Sequence, residues 1–307
     1  MTTDTARGEV DGLRLWTAVL AKRGDVAQQH MVRRLVHRDA PLLDRVIETF
    51  PTYTLHNATH ARNVAELMAD LLGPDIAKLT ALEAAMLILA AYLHDIGMVF
   101  DADDLSSLHQ EPEWESFLQN HPAAFVALKN NADVVTPDVA EQYCRVRHAE
   151  RVFVHLDRIA SEDLRWGSVS LRDALGDLCR SHMMGPEELR ATNSLSTNFL
   201  AQADLRFCAI LLRLADILDF DGSRSPEAVY RHLGLARRDT PRRTASDVEW
   251  RKHLCSEGVR FPAGNMRRAP RGSNSTSSLD RTIRLWSTTL GSIWTRSRRS
   301  LNRVMRC

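Results

Sequence analysis

The chain has 307 residues, of which 44% are hydrophobic, 26% are charged and five are cysteines without paired spacing, and its net charge is only +1. A chain of this length can bury a sizeable core, but its longest apolar run is about half of the ~20 residues that a membrane span needs. We therefore expect no membrane association and no disulfide framework, and predict a reduced, cytoplasmic protein.

The first hundred residues predict amphipathic and buried helices. Apolar residues recur at helical spacing in 10–50 and again in 59–72. A third helix is expected over 80–95, because Thr80 and Glu83 have the spacing of a capping box. This helix is apolar on every side, which indicates that it lies in the core.

The middle of the chain also predicts helices. The acidic and Pro-interrupted segment 101–121 suggests short helices that form an insertion over the functional site. Further helices are predicted at 136–159, 168–184, 199–220 and 225–233. No stretch shows sustained strand alternation, so the fold class is all-α.

Residues 255–307 differ in kind from the rest of the chain. They contain eleven arginines and no lysine against two acids, a net charge of +9, whereas residues 1–254 contain 29 basic and 37 acidic residues, a net charge of −8. With nine serines and no helical period, this Arg/Ser-rich tail is predicted to be disordered or weakly ordered. Two interpretations stay open: a nucleic-acid-binding arm, or the product of a shifted reading frame or truncated gene.

Polar residues interrupt two of the most apolar predicted helices. His94 and Asp95 follow the apolar run 84–93, and burying either side chain without a partner costs several kcal/mol. A divalent metal ion satisfies an imidazole and a carboxylate together. His60 upstream and Asp216 in the apolar segment 199–220 are further candidate ligands.

This ordered pattern resembles the HD-domain superfamily of metal-dependent phosphohydrolases. The likeness covers about 50–235 and rests on His-Ala-x-x-Val from His60, His-Asp-Ile-Gly from His94, and Leu-Arg-Leu-Ala-Asp-x-Leu-Asp around Asp216. It implies an HD-domain helical bundle in which a first metal ion is bound by His60, His94, Asp95 and Asp216. His94 and Asp95 would form the catalytic centre.

Two more histidines match a richer form of the pattern. His148 and His182 lie between the His-Asp pair and Asp216, as in HD proteins similar to the two-metal HD-GYP phosphodiesterases. By that likeness they would bind a second ion, with Asp95 bridging the two. From the residues alone, His148 could instead face solvent on an Arg-rich helix, and His182 could be an ordinary residue near a helix C-terminus, which the helix dipole favours.

The donor set does not choose the metal. Imidazoles and carboxylates suit Mn, Mg, Fe, Ni, Co or Zn as divalent ions, and one or two per chain are open. Arg62, Arg147 and Arg151 lie within a turn of predicted ligands and could contact phosphoryl oxygens, although each also fits a solvated helix surface. His56 could support a ligand or contact phosphate.

We therefore divide the chain into an N-terminal helical extension (1–50), the HD domain (51–235), a connector (236–254) and the Arg/Ser-rich tail (255–307). The predicted function is hydrolysis of a nucleotide or related phosphoester. Two alternatives remain: a non-catalytic HD module that binds a nucleotide or metal and regulates attached domains, or an HD-type di-iron oxygenase. Nucleic acid is an expected partner only through the tail, and the oligomeric state is open.

Overall fold

The structure, a computed structural model, describes residues 10–219, 224–237 and 241–254. A π-helical turn at Trp16–Leu20 precedes the first α-helix. The α-helices that follow are, in chain order, α1 (Ala21–Arg23), α2 (Val26–Leu43), α3 (Val46–Thr49), α4 (Ala58–Leu72), α5 (Ala81–Leu93), α6 (Ala102–Ser107), α7 (Trp114–Asn120), α8 (Pro122–Asn130), α9 (Pro137–Asp157), α10 (Arg172–Arg180), α11 (Pro186–Ala191), α12 (Leu205–Leu218), α13 (Glu227–Leu233) and α14 (Pro241–Leu254). The predicted all-α class is confirmed.

Helix α5 is the centre of the bundle. Helices α2, α4, α10 and α12 pack around it, and nearly all of its side chains are buried. The predicted capping box begins it: the Thr80 hydroxyl accepts from the Glu83 N–H at 3.0 Å, and the Glu83 carboxylate accepts from the Thr80 N–H at 2.9 Å. By length and composition the window Ala81–Met98 could cross a membrane, but 89% of it is buried inside the fold, as in the core helix of a soluble protein.

A second apolar cluster lies beside this core. It joins residues 46–53, the insertion 101–121 and the first turns of α9, through side chains such as Phe50, Trp114 and Tyr143. The insertion is built from short helices, as predicted: α6, a 3₁₀ turn at Leu108–Gln110, and α7.

A close approach of two backbones brings the end of α5 to α9. The residues after His94-Asp95 form a 3₁₀ turn, Ile96–Met98, that packs on α9. A Cβ atom on Gly97 would lie 1.9 Å from the carbonyl oxygen of His148. Only glycine therefore allows the turn to lie this close to His148.

Two segments differ from the sequence prediction. A short antiparallel hairpin, β1 (Arg165–Trp166) and β2 (Val169–Ser170), precedes α10, so the helix predicted from residue 168 begins at Arg172. The predicted connector is largely a helix, α14, whose buried Trp250 donates its indole N–H to the Thr52 carbonyl at 2.9 Å. The 255–307 tail and both interpretations of it lie outside the described residues.

Candidate metal centre

The His94-Asp95 pair lies at the C-terminal end of the core helix. His94 caps α5 through its N–H, which donates to the Ala90 carbonyl at 2.9 Å. Its ring also uses a backbone carbonyl: Nδ1 lies 3.0 Å from the oxygen of Ala91. His94 is 1% exposed and Asp95 is 5% exposed, so both polar side chains are inside the bundle.

His60 and Asp216 reach the same point from two other helices. Asn57 caps the start of α4 by accepting from the His60 N–H at 3.1 Å, which places His60 in the first turn. Nε2 of His60 lies 3.3 Å from Nε2 of His94 and 3.4 Å from Asp95 Oδ2. Asp216, in the last turn of α12, places Oδ1 3.4 Å from the same His60 nitrogen.

His148 and His182 form a second group on the other side of Asp95. Their Nε2 atoms are 3.0 Å apart, and each is 3.7 Å from Asp95 Oδ1. Both residues are buried, on α9 and on the 3₁₀ turn Ser181–Met183 that continues α10. The alternative in which His148 faces solvent is therefore wrong.

Asp95 lies between the two groups. Its Oδ2 faces the Nε2 atoms of His60 and His94, at 3.4 and 3.1 Å, while its Oδ1 faces those of His148 and His182. The structure thus brings all six predicted site residues to one place, with one carboxylate shared between two pairs of imidazoles.

Hydrogen bonding fixes how the four imidazoles are oriented. In each ring Nδ1 lies within hydrogen-bonding distance of an oxygen. His60 Nδ1 is 2.6 Å from the Asp219 carboxylate. The other three face backbone carbonyls: His94 that of Ala91 at 3.0 Å, His148 that of Cys144 at 3.1 Å, and His182 that of Cys179 at 2.7 Å. A carbonyl oxygen only accepts, so Nδ1 carries the hydrogen and Nε2 of the neutral ring has a lone pair. The lone pairs then face each other in pairs, which is unfavourable unless a cation or proton lies between them.

The spacing of these atoms suits metal ligands. Two nitrogens bound at about 2.0–2.1 Å to one ion lie about 2.9–3.4 Å apart for bond angles near 90–110°, and the two Nε2 pairs are 3.3 and 3.0 Å apart. Asp95 Oδ2 is buried and accepts no hydrogen bond from any described residue. These buried groups, His60–His94–Asp95 and Asp95–His148–His182, could each hold a metal ion.

Comparison with known families agrees with this geometry. The family model HD-CE matches residues 50–282 of the chain. The chain belongs to the HD-CE family. The predicted HD-domain resemblance is thereby confirmed, and the matched range begins next to the predicted HD domain and extends past its predicted end at 235 into the tail. Searches of curated proteins and of solved structures found no match.

The charged groups of the HD-CE centre lie close together. Burial and a neighbouring guanidinium act to lower the pKa of His60, but the adjacent carboxylates of Asp216, Asp219 and Asp95 outweigh them and raise it to about 10. Burial acts to raise the pKa values of Asp95 and Asp216, yet the adjacent imidazoles hold both below the ordinary range. For His182, burial and neighbouring imidazoles lower the pKa to about 4. At neutral pH a proton therefore competes with an ion at His60 but not at His182.

Sequence reasoning missed Asp219 as a member of the HD-CE site. Its buried carboxylate accepts from His60 Nδ1 at 2.6 Å and from the Asn63 amide at 3.3 Å. A carboxylate in this position fixes the tautomer of a ligating histidine and makes Nε2 more basic. The sequence feature that could have identified Asp219 is its place in Leu-Ala-Asp216-Ile-Leu-Asp219, three residues after the predicted ligand Asp216.

Two of the three candidate arginines have their charges balanced elsewhere in the HD-CE fold. Arg151 is 5% exposed, donates to the Gly97 carbonyl at 3.2 Å and pairs with Asp104 and Glu111, so its predicted solvated position is wrong. Arg147 pairs with Glu113 and Glu150. These two arginines hold the insertion on α9. Arg62 is half-buried on α4.

His56 lies between the centre and a cavity. Its Nδ1 donates to the Thr54 carbonyl at 2.6 Å, and its ring centroid is 5.7 Å from that of His60. Burial and the charge of Arg224 hold the pKa of His56 well below its usual value, so the ring is neutral at pH 7. The cavity, of about 220 Å³, is lined by ten residues between Leu43 and Asn57, and His56 is one of them.

Proposed function

We propose that this chain is a metal-dependent phosphohydrolase that acts on a nucleotide or related phosphoester through a dinuclear centre. The observation that carries the proposal is the position of Asp95, whose two oxygens face two separate pairs of imidazole lone pairs. A structural role does not need four histidines with the same tautomer around one buried carboxylate.

The proposed ligands divide into two sets. His60, His94, Asp95 and Asp216 would hold the first divalent ion, and Asp95, His148 and His182 the second. Mn²⁺, Fe²⁺, Zn²⁺, Co²⁺ and Ni²⁺ suit these donors, and Mg²⁺ does with added waters. When bound, such ions would lower the pKa of a water and neutralise charge on the phosphoryl oxygens.

The protein's own groups would prepare that chemistry. Carbonyls and Asp219 hold the four Nε2 lone pairs toward the centre, which limits reorganisation during the reaction. The buried wall of α5 keeps bulk water from the ligands, and a low local dielectric strengthens their interaction with developing charge. His94 and Asp95 are the residues that we expect to be indispensable, because Asp95 serves both ions.

The test combines metal analysis with a hydrolysis screen. Purified protein would be loaded with Mn²⁺, Mg²⁺, Ni²⁺ or Co²⁺, analysed for metal and assayed on nucleotides and simple phosphoesters. Asp95→Asn should lose metal and hydrolysis while keeping the helical fold. Asp173→Asn is the matched control, since Asp173 is an exposed aspartate that pairs with Arg172.

Four results would argue against the proposal. A chain that binds no metal, or an Asp95→Asn variant that keeps full metal and activity, would refute it. Metal binding without hydrolysis of any phosphoester would favour a regulatory HD module. Iron-dependent consumption of oxygen would favour an HD-type oxygenase.

A further inference from the structure

Arg224 is a buried arginine at the edge of the metal centre. It follows α12, and its backbone carbonyl accepts from the Leu55 N–H at 3.0 Å while its Nε donates back to the Leu55 carbonyl at 3.3 Å. The same Nε lies 3.8 Å from Oδ2 of Asp219. The residue is 7% exposed, so these contacts hold its guanidinium inside the protein.

Most of the N–H groups of this guanidinium have no acceptor among the residues that the structure describes. An arginine has five N–H donors, and only Nε–H of Arg224 has an acceptor within residues 10–219, 224–237 and 241–254. Asp219 does not supply the missing acceptors, because its Oδ2 lies 3.8 Å from Nε, beyond hydrogen-bonding distance. The remaining N–H groups of this largely buried side chain are therefore free to donate to a ligand oxygen.

The location of Arg224 indicates which ligand this is. Asp219 connects it to the proposed ligand His60, and Leu55 connects it to His56, whose ring is 5.7 Å from that of His60. An anion bound at the centre would therefore have Arg224 beside it.

Two other arginines near the centre differ from Arg224 in this respect. Arg151 and Arg147 each pair with two carboxylates. Among the described residues, Arg224 has one carboxylate neighbour, Asp219 at 3.8 Å, which also accepts from His60 and Asn63. The charge of Arg224 is thus balanced less fully within the described chain than that of Arg151 or Arg147.

We propose that Arg224 is a substrate-binding residue that holds the phosphoryl group of a phosphomonoester at the centre. This inference rests on the proposed function and narrows its substrate class. A guanidinium presents parallel N–H groups that match phosphoryl oxygens. The phosphoryl group of a monoester has three non-bridging oxygens, so one is free for Arg224 when the ions contact the other two. A diester has only two.

The test measures phosphate binding and steady-state hydrolysis in three variants. Arg224→Gln should weaken the binding of inorganic phosphate to the Mn²⁺-loaded protein by about tenfold to a hundredfold and raise KM for p-nitrophenyl phosphate similarly, since a hydrogen bond to a charged group is lost. Hydrolysis of a diester, bis-p-nitrophenyl phosphate, should change less. Arg224→Lys retains a charge near Asp219 and should recover metal content and melting temperature, but only part of the phosphate affinity.

The control is Arg231→Gln, because Arg231 is exposed on α13 and pairs only with Glu227 there. Phosphate affinity and KM equal to wild type in Arg224→Gln would overturn the inference, even if metal and hydrolysis are present as proposed. The inference would also be overturned if Arg224→Gln lost metal and stability together and Arg224→Lys restored phosphate affinity in full. Arg224 would then have only a structural role. Wild-type protein without bound metal would instead refute the proposed function, and phosphate titration of that protein against Arg224→Gln would still decide whether Arg224 binds the anion.

Discussion

Removing the carboxylate of Asp219 should weaken the first metal site without touching its ligands. Asp219 is buried and accepts a 2.6 Å hydrogen bond from His60 Nδ1, so the perturbation acts through one imidazole. Loss of such a supporting carboxylate typically costs ten- to a hundredfold in metal affinity, or about 1.4–2.8 kcal/mol. Asp219→Asn keeps an acceptor oxygen and should weaken metal affinity about tenfold, whereas Asp219→Ala should weaken it by up to about a hundredfold.

The assay is competition for Mn²⁺ against a fluorescent chelator. Because Asp219 contacts His60 and neither His148 nor His182, only one of two binding steps should shift. Asp173→Asn again serves as an exposed control. Wild-type affinity at both steps in Asp219→Ala would refute the reasoning that this carboxylate prepares His60.

Three further predictions follow from the fold and the charges. Gly97→Ala should destabilise the protein by about 1–3 kcal/mol in denaturant unfolding, because its Cβ would lie 1.9 Å from the His148 carbonyl oxygen; an unchanged midpoint would contradict this contact. The fragment 1–254 should retain metal binding whereas 1–237, which lacks α14, should lose stability and metal; equal metal content and melting temperature in both would show that α14 is dispensable. Metal binding at pH 7.5 should release about one proton from His60, because the pKa of that residue is raised to about 10, and metal affinity should therefore rise with pH until that pKa is passed. Titration calorimetry in buffers of different ionisation enthalpy would detect the released proton, and a binding enthalpy that does not depend on the buffer would contradict the prediction.

The ligands could be found in the sequence because they contradict their surroundings. His94 and Asp95 follow ten apolar residues, and a polar pair there requires a partner whatever the tertiary structure. The capping box at Thr80 is a local signal too, and it begins α5 as predicted.

The supporting residues could not be found in this way, because tertiary contacts define them. Asp219 reaches His60 across 159 positions, and its spacing from Asp216 marks it in the sequence without showing that it contacts His60. Arg224 lies beside Asp219 because its side chain is held by the Leu55 carbonyl, a tertiary contact that the local sequence does not indicate. Helix-surface arginines such as Arg151 look alike in sequence, whether they face solvent or a buried carboxylate.

Helix α14 was missed for a different reason. Its sequence has little amphipathic character, and its attachment is largely polar: Ser246 donates to the Thr52 hydroxyl at 2.9 Å, and Arg145 donates to Ser246 at 2.7 Å. Hydrophobic periodicity detects an apolar stripe and does not detect a buried hydrogen-bond network around one tryptophan, Trp250.

The most direct test of the central claim is a count of ions by native mass spectrometry of Mn²⁺-loaded protein. We predict two ions in the wild-type chain, one in His182→Ala, whose Nε2 faces only the second group, and none in Asp95→Ala. A single ion in both wild type and His182→Ala would contradict the dinuclear centre, and two ions retained in Asp95→Ala would contradict the bridging role of that carboxylate.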